Sequence, residues 1–246
     1  MMADLAADAA AWHDVECASY AADLPLWREV AAERGGPVLD IGCGTGRVAF
    51  ELAAQGHEVV GVDADPSLVA AFNRRVADSG LDAHAHAADA RSLALDRRFP
   101  LAILPMQVAQ LLGGAPGRSA MLAAAARHLE PNGLLAIALA DPFEAVPPGK
   151  ASPPLPDVLE LDGWVLSSTP LAVRVEGDVV VIDRLRQAVS PTGELTEVLA
   201  AIALDDCAPG TLEDEGRATG LQPLPTRYVP PTRDYVGSTV VMLEAR

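Results

Sequence analysis

Asp40, Gly42, Gly44 and Gly46 form the pattern D-x-G-x-G-x-G inside "PVLDIGCGTGRVAFELAAQGHEVVGVDADPSLV", Pro37 to Val69. Glycines alternating with the small residues Cys43 and Thr45 strip one turn of bulky side chains. Backbone N–H groups and a helix N-terminus can then approach a ligand closely. Asp63 ends the next apolar run, where a carboxylate can accept both hydroxyls of a ribose. Loop and acid together point to a ligand that contains a nucleoside. A dinucleotide site would read G-x-G-x-x-G, but Arg47 stands three residues after Gly44. The turn is therefore wider than a pyrophosphate loop, and an NAD(P)-dependent reductase is the weaker reading. That reading would also need a catalytic Tyr near a Lys, and the only lysine, Lys150, lies in a proline-rich stretch.

Other reactive side chains are sparse. His84 and His86 stand at i and i+2, a spacing that holds a metal only with a third ligand. None is evident, so both are expected to face solvent on an edge strand and no metal is expected. Cys43 at a helix N-terminus reads either as a reactive thiol or as a small residue required by the turn. Gln107 and Gln110 follow an apolar strand and either face an acceptor or cover the sheet edge. His57 and His128 fall at helix ends, where a structural role is expected.

These residues need elements to position them. From Val38 onward short apolar runs alternate with helical patterns: strands "VLDIG", "EVVGVD", "LDAHAHAAD", "PLAILPM" and "GLLAIALAD", and helices Thr45–Gln55, Pro66–Asp78 and Arg118–Leu129. Fully apolar strands separated by helices predict a parallel sheet covered on both faces, a doubly wound α/β fold. Asp65 followed by Pro66 predicts a helix start, and Gly56 and Gly80 predict helix ends. Before this core, Met1 to Glu33 predicts one or two amphipathic helices. After it, Pro142 to Pro156 reads as an irregular loop, and Trp164 to Leu204 as a small antiparallel sheet of three or four strands. Its turns fall at Glu176-Gly177-Asp178 and Pro191-Thr192-Gly193. A last helix, Thr211–Thr219, opens on a capping pattern from Thr211 to Asp214, and two more strands follow. Pro223 and Pro225 put the first of those two at an edge. The expected units are 1–34, a helical lid; 35–141, a cofactor-binding core; 142–205, the loop and antiparallel insertion on the substrate side; and 206–246, the final helix and strands.

With 246 residues the chain can bury a full core. Its formal net charge is −16, which repels a phosphate backbone, so nucleic acid is not an expected partner. Three widely spaced cysteines form no disulfide or zinc pattern. Acids crowd the start of the chain where a signal peptide has bases, and no apolar run approaches a membrane span. A soluble, cytoplasmic protein with no membrane contact is expected, and a homodimer is left open.

In order, "VLDIGCGTGR", "VVGVDADPSLV", "HAADARSL" and "FPLAILPMQVAQLL" resemble the motifs of the class I S-adenosylmethionine-dependent methyltransferases. The resemblance runs from about Tyr20 to Asp141. It implies a sheet of order 3-2-1-4-5-7-6 with strand 7 antiparallel, N-terminal helices and an insertion after strand 5. It implies S-adenosylmethionine as cofactor and S-adenosylhomocysteine as product. Asp40 is the acid of the first motif. Contacts would come from Gly42, Cys43, Gly44, Thr45, Gly46, Asp63, Ala64, Ala90 and the backbone at Pro105 and Met106. Leu68 would pack on adenine, Asp89 would hold its amino group, and Tyr20 would orient the methionine carboxylate. The expected reaction is methyl transfer to an O, N or C atom of a small molecule. His13 is the candidate general base and Gln107 a candidate acceptor contact, while Tyr20 and Trp27 are expected to seal the cofactor. A cofactor-binding protein that has lost transfer, or uses the cofactor differently, stays open. "LPMQ" stands where amino-directed DNA methyltransferases carry N-P-P-[FYW].

Overall fold

Val38–Ile41 (β1), Val59–Asp63 (β2), Phe99–Leu104 (β4) and Leu129–Ala140 (β5) are apolar on both faces, and the fold buries both. The computed structural model describes residues 4–140, 155–232 and 235–246. Alternate residues of each strand serve opposite layers, as the two-residue strand period requires. Val38, Val59, Leu101 and Ile103 meet α2 (Leu24–Arg34), α3 (Arg47–Ala53) and α4 (Pro66–Ser79). Leu39, Val60, Ala102 and Leu104 meet α5 (Gly114–Arg127) and α6 (Pro209–Ala218).

With Ala83–Ala87 (β3), Gln222–Val229 (β10) and Ser238–Glu244 (β11), the large sheet has the order β10-β11-β5-β4-β1-β2-β3. Strands β1 to β5 are parallel, and β11 runs antiparallel to both neighbours. This is the expected order, with β11 as the reversed strand and the proline-bearing β10 at an edge. A second sheet, β6-β7-β8-β9, is formed by Asp157–Leu161, Trp164–Glu176, Val179–Val189 and Leu195–Asp205. Its turns fall at Gly177 and Gly193, both at positive φ. Ala9–Cys17 (α1) lies on this sheet through a cluster of Leu5, Ala11, Trp12, Val15, Leu166 and Ala188.

Several boundaries differ from expectation. Strand β6 precedes Trp164, where the small antiparallel sheet was expected to begin; only pairing with β7 identifies it. Helix α5 starts at Gly114 rather than Arg118, because its first turn, "GAPG", has little helical propensity. Helix α6 starts at Pro209, whose fixed φ suits the first helical turn, so Thr211 sits inside the helix and caps nothing. Asp65 caps α4 through Ser67 N, and Gly80 ends it in the left-handed region, as expected. The strand end at Asp141, the prolines from Pro142 to Pro154 and Lys150 lie outside the described residues.

Candidate functional site

The glycine loop joins β1 to α3 at the carboxyl end of the sheet, where open α/β sheets bind ligands. Gly42, Gly44 and Gly46 all have positive φ. A side chain at Gly44 would meet more than strain, since its Cβ would fall 2.3 Å from His13 Nε2. Asp63 braces the loop from β2, with Oδ2 accepting from Gly44 N at 2.9 Å and Oδ1 from Asp65 N at 2.9 Å. A carboxylate has about four acceptor positions, so lone pairs remain for a diol.

Beside the loop is a cavity of about 290 Å³ whose walls include His13, Asp40, Gly42, Cys43, Pro105, Met106 and Gln107. Asp40 is 1% exposed, and its Oδ1 has no hydrogen-bond partner. Its pKa is pushed up to about 7, mainly by complete burial; Arg47 opposes the rise, and Asp63 and Asp23 add to it. A buried carboxylate oxygen without a partner costs free energy unless a donor reaches it, and a cationic ligand is the fitting donor. Affinity for such a ligand is therefore expected to fall tenfold per pH unit below about 7 and to level off above it. Calorimetry from pH 5.5 to 8 in buffers of different ionisation enthalpy checks this, since binding below the pKa must release a proton; a flat profile would remove the assignment. The sign for stability is opposite. Without ligand the folded chain holds a proton that the unfolded chain releases, so this group's contribution declines as pH rises toward 7.

Helix α1 closes the cavity from the other side. Thr45 Oγ1 donates to Asp14 Oδ1 at 2.6 Å, Arg75 pairs with Asp14, and His13 Nδ1 lies 3.3 Å from Thr45 Oγ1. Glu16 accepts two 2.8 Å bonds from Arg186 and a third from Ser168, which ties α1 to β7 and β8. Burial opposes charge on His13, but hydrogen bonds to Asp14 and Cys17 outweigh it and push the pKa up to about 10. A protonated imidazole has no lone pair for a proton, so this environment works against His13 as the expected general base.

Other expected site residues divide by position. Met106 takes a φ of 58°, rare for a side chain of its size, where β4 ends at the cavity. Gln107 follows it and lines both this cavity and a smaller one beside Tyr20 and Tyr235. Gln110 is structural; it bonds Ala140 at both amide atoms and the Asp205 carbonyl. Tyr20 is buried with its hydroxyl unpartnered. Burial pushes the Cys43 thiol far above its usual range, so it is no nucleophile; it packs against Gly61. Gly44, Thr45, Gly46, Asp63, Ala64, Leu68, Asp89 and Ala90 line neither cavity. Asp89 caps a short 3-10 turn and pairs with Arg91. His84 and His86 are exposed on the edge strand, as expected, and no group of three or more potential ligands gathers among the described residues. His128 is buried, with Nε2 accepting from Leu95 N, a structural role as expected.

Trp27 was expected to help seal the cofactor. It is instead fully buried in the main core, with its indole N–H on Asp23. Asp23 also holds Arg47 through two bonds, at 2.7 and 2.8 Å, an ion pair placed beside the cavity. Sequence reasoning missed Asp14, Glu16, Asp23, Arg75 and Arg186. The partners that place them at the site lie 24 to 170 positions away in the chain, so no local pattern marks them.

Residues 38–133 match the family described as "Methyltransferase domain". Over 130 residues the chain is 37% identical to a cypemycin N-terminal methyltransferase from Streptomyces sp, a match covering 51% of each chain. The chain thus spans about half the length of that curated relative, and less of the others it matches. Among solved structures it is similar to a sugar N-methyltransferase from Streptoalloteichus sp (TM-score 0.71, 23% identity, 92% of this chain and 87% of that one). It is also similar to a SAM-bound amino pentose methyltransferase from Micromonospora echinaspora (TM-score 0.68, 20% identity, 94% of each chain). These likenesses show the fold, a seven-stranded class I methyltransferase sheet with an antiparallel insertion. No helix among the described residues is long and apolar enough to cross a membrane.

Proposed function

We propose that this chain, which carries a methyltransferase domain over residues 38–133, is an S-adenosylmethionine-dependent methyltransferase acting on a small-molecule acceptor in the cytoplasm. The observation that carries the reading is the unpartnered, fully buried Asp40 carboxylate facing a cavity on the glycine loop. S-Adenosylmethionine fits the donor set. Its α-ammonium suits Asp40 and its ribose suits Asp63, on a loop whose glycines take the positive φ that side chains disfavour. When bound it would supply an activated methyl group on a good leaving group. The chain's own task is then alignment and exclusion of water.

Residues 35–140 would form the cofactor-binding core, and α1 with the β6–β9 sheet the cover. Trp12, Leu111 and Ile202 give the outer cavity an apolar wall, interrupted by the Glu16–Arg186 pair and by Gln107. Gln107, which lines the cavity, would orient the acceptor by accepting a hydrogen bond. An amine acceptor fits best. It can enter neutral and lose its proton to water after transfer, so it needs no base, and the charged pair beside the apolar wall, Glu16 and Arg186, is bonded to itself. The similarity to a sugar N-methyltransferase and to a cypemycin N-terminal methyltransferase supports the same acceptor class.

Asp63→Ala is expected to weaken S-adenosylhomocysteine binding by about 1.5–3 kcal/mol, the loss of charge-assisted hydrogen bonds to ligand and loop together. Calorimetry measures it. Binding of NAD in place of S-adenosylhomocysteine by the unaltered chain would overturn the cofactor assignment.

A further inference from the structure

We propose that His13 is a cofactor-binding residue: its ring is the fixed cation that takes the carboxylate of the cofactor's methionine tail, opposite Asp40, which takes the ammonium. The inference rests on the cofactor reading above and adds to it the identity of the carboxylate's partner.

The geometry is specific. The His13 ring packs on Gly44, with Nε2 and Cε1 lying where a Cβ of residue 44 would stand, and His13 forms part of the wall of the cavity that Asp40 also lines. Its other nitrogen is committed. The Thr45 hydroxyl gives its proton to Asp14, so its oxygen is left to accept from Nδ1–H. The groups facing the ring are Asp14 and Cys17 on α1, Thr45 on the loop, Arg75 of α4 beyond Asp14, and Asp65 at longer range. Asp14 favours the doubly protonated ring, which turns Nε2 into a donor. The ring also reaches the Cys17 thiol, a weak acceptor that a carboxylate displaces readily.

Elimination supports the same partner. Arg47 and Arg186 also line the cavity, but both are spent. Arg47 gives its donors to both oxygens of Asp23 and to the Tyr20 carbonyl, and Arg186 makes a two-pronged pair with Glu16. His13, held by Asp14, Thr45 and Cys17, is the one of these three lining cations without a two-pronged carboxylate pair. Asp40 and His13 then present one negative and one positive group to the two charges of an α-amino acid.

Affinity for S-adenosylhomocysteine is to be compared with that for its decarboxylated analogue, which keeps the ammonium and lacks only the carboxylate. The unaltered chain should prefer S-adenosylhomocysteine by about tenfold or more, as charge-assisted bonds provide. In H13Q the preference should collapse, with the analogue's own affinity unchanged, and in H13K it should return in part. An undiminished preference in H13Q, or its loss in Y20F instead, overturns the proposal. If neither compound binds the unaltered chain, the cofactor reading itself has failed. Should H13Q not fold, the ring ¹⁵N shifts of the unaltered chain decide: S-adenosylhomocysteine must move Nε2 and the analogue must not.

Discussion

Gly44→Val is expected to abolish S-adenosylhomocysteine binding, a loss of more than about 3 kcal/mol, while the chain still unfolds cooperatively. Gly44 has a φ of 54°, a region that penalises β-branched residues most. Its Cβ would fall 2.3 Å from His13 Nε2 and 2.4 Å from Cε1, so the imidazole and with it α1 must shift. Its N–H is also the donor that holds Asp63 Oδ2. One substitution therefore obstructs the loop, loosens the ribose acid and displaces the closing helix. Gly80→Val separates strain from obstruction. It has a similar φ of 69° but nothing within 4 Å of its Cβ, so it should cost stability at the end of α4 and leave binding intact. Calorimetry and thermal melts of both variants read the difference. Normal binding by Gly44→Val would mean that the ligand does not approach this loop.

What could be read in advance follows from interaction range. Strands β1, β2, β4 and β5 declare themselves because burial on two faces demands uninterrupted apolar runs. Asp65-Pro66 and Gly80 are local signals obeyed locally. The glycine loop and Asp63 were legible for the same reason, their spacing being confined to one β-α-β unit. The cavity's closure was not. Glu16 meets Arg186 from 170 positions away and Asp14 meets Arg75 from 61, and nothing near either residue anticipates its partner. The same limit applies to His13. A histidine near a presumed lid reads as a base until Asp14 and Thr45 are seen to fix its ring and its charge. Met106 is a different case, since no side-chain property marks a methionine for positive φ, and only the sharp turn out of β4 imposes it.

The N-terminal segment is where sequence and structure diverge most usefully, because its two helices do different work. Deletion of residues 1–18 is expected to give a folded protein whose S-adenosylhomocysteine affinity falls at least about tenfold and whose methyl transfer is lost. Helix α1 contributes to neither of the two clusters flanking the large sheet; its apolar contacts are with Leu166 and Ala188 of the insertion. What its removal takes from the site is His13 beside Gly44, Asp14 on Thr45, and Glu16 on Arg186. An open sheet cannot keep water from its own carboxyl edge, so transfer should suffer more than binding. Deletion of residues 1–33 is expected to unfold the chain instead. It removes Trp27, Val30 and Ala31, all 0% exposed in the main core, and emptying the tryptophan site alone costs about 3–5 kcal/mol. That approaches the whole stability of a marginal domain. It also strips Asp23 from Arg47, leaving a guanidinium beside the cavity without its carboxylate. Circular dichroism melts and calorimetry on the two truncations test the division. An unfolded 1–18 deletion would make α1 part of the core, full binding and transfer would make it dispensable, and a cooperative 1–33 deletion would contradict the place of Trp27 at the centre of the fold.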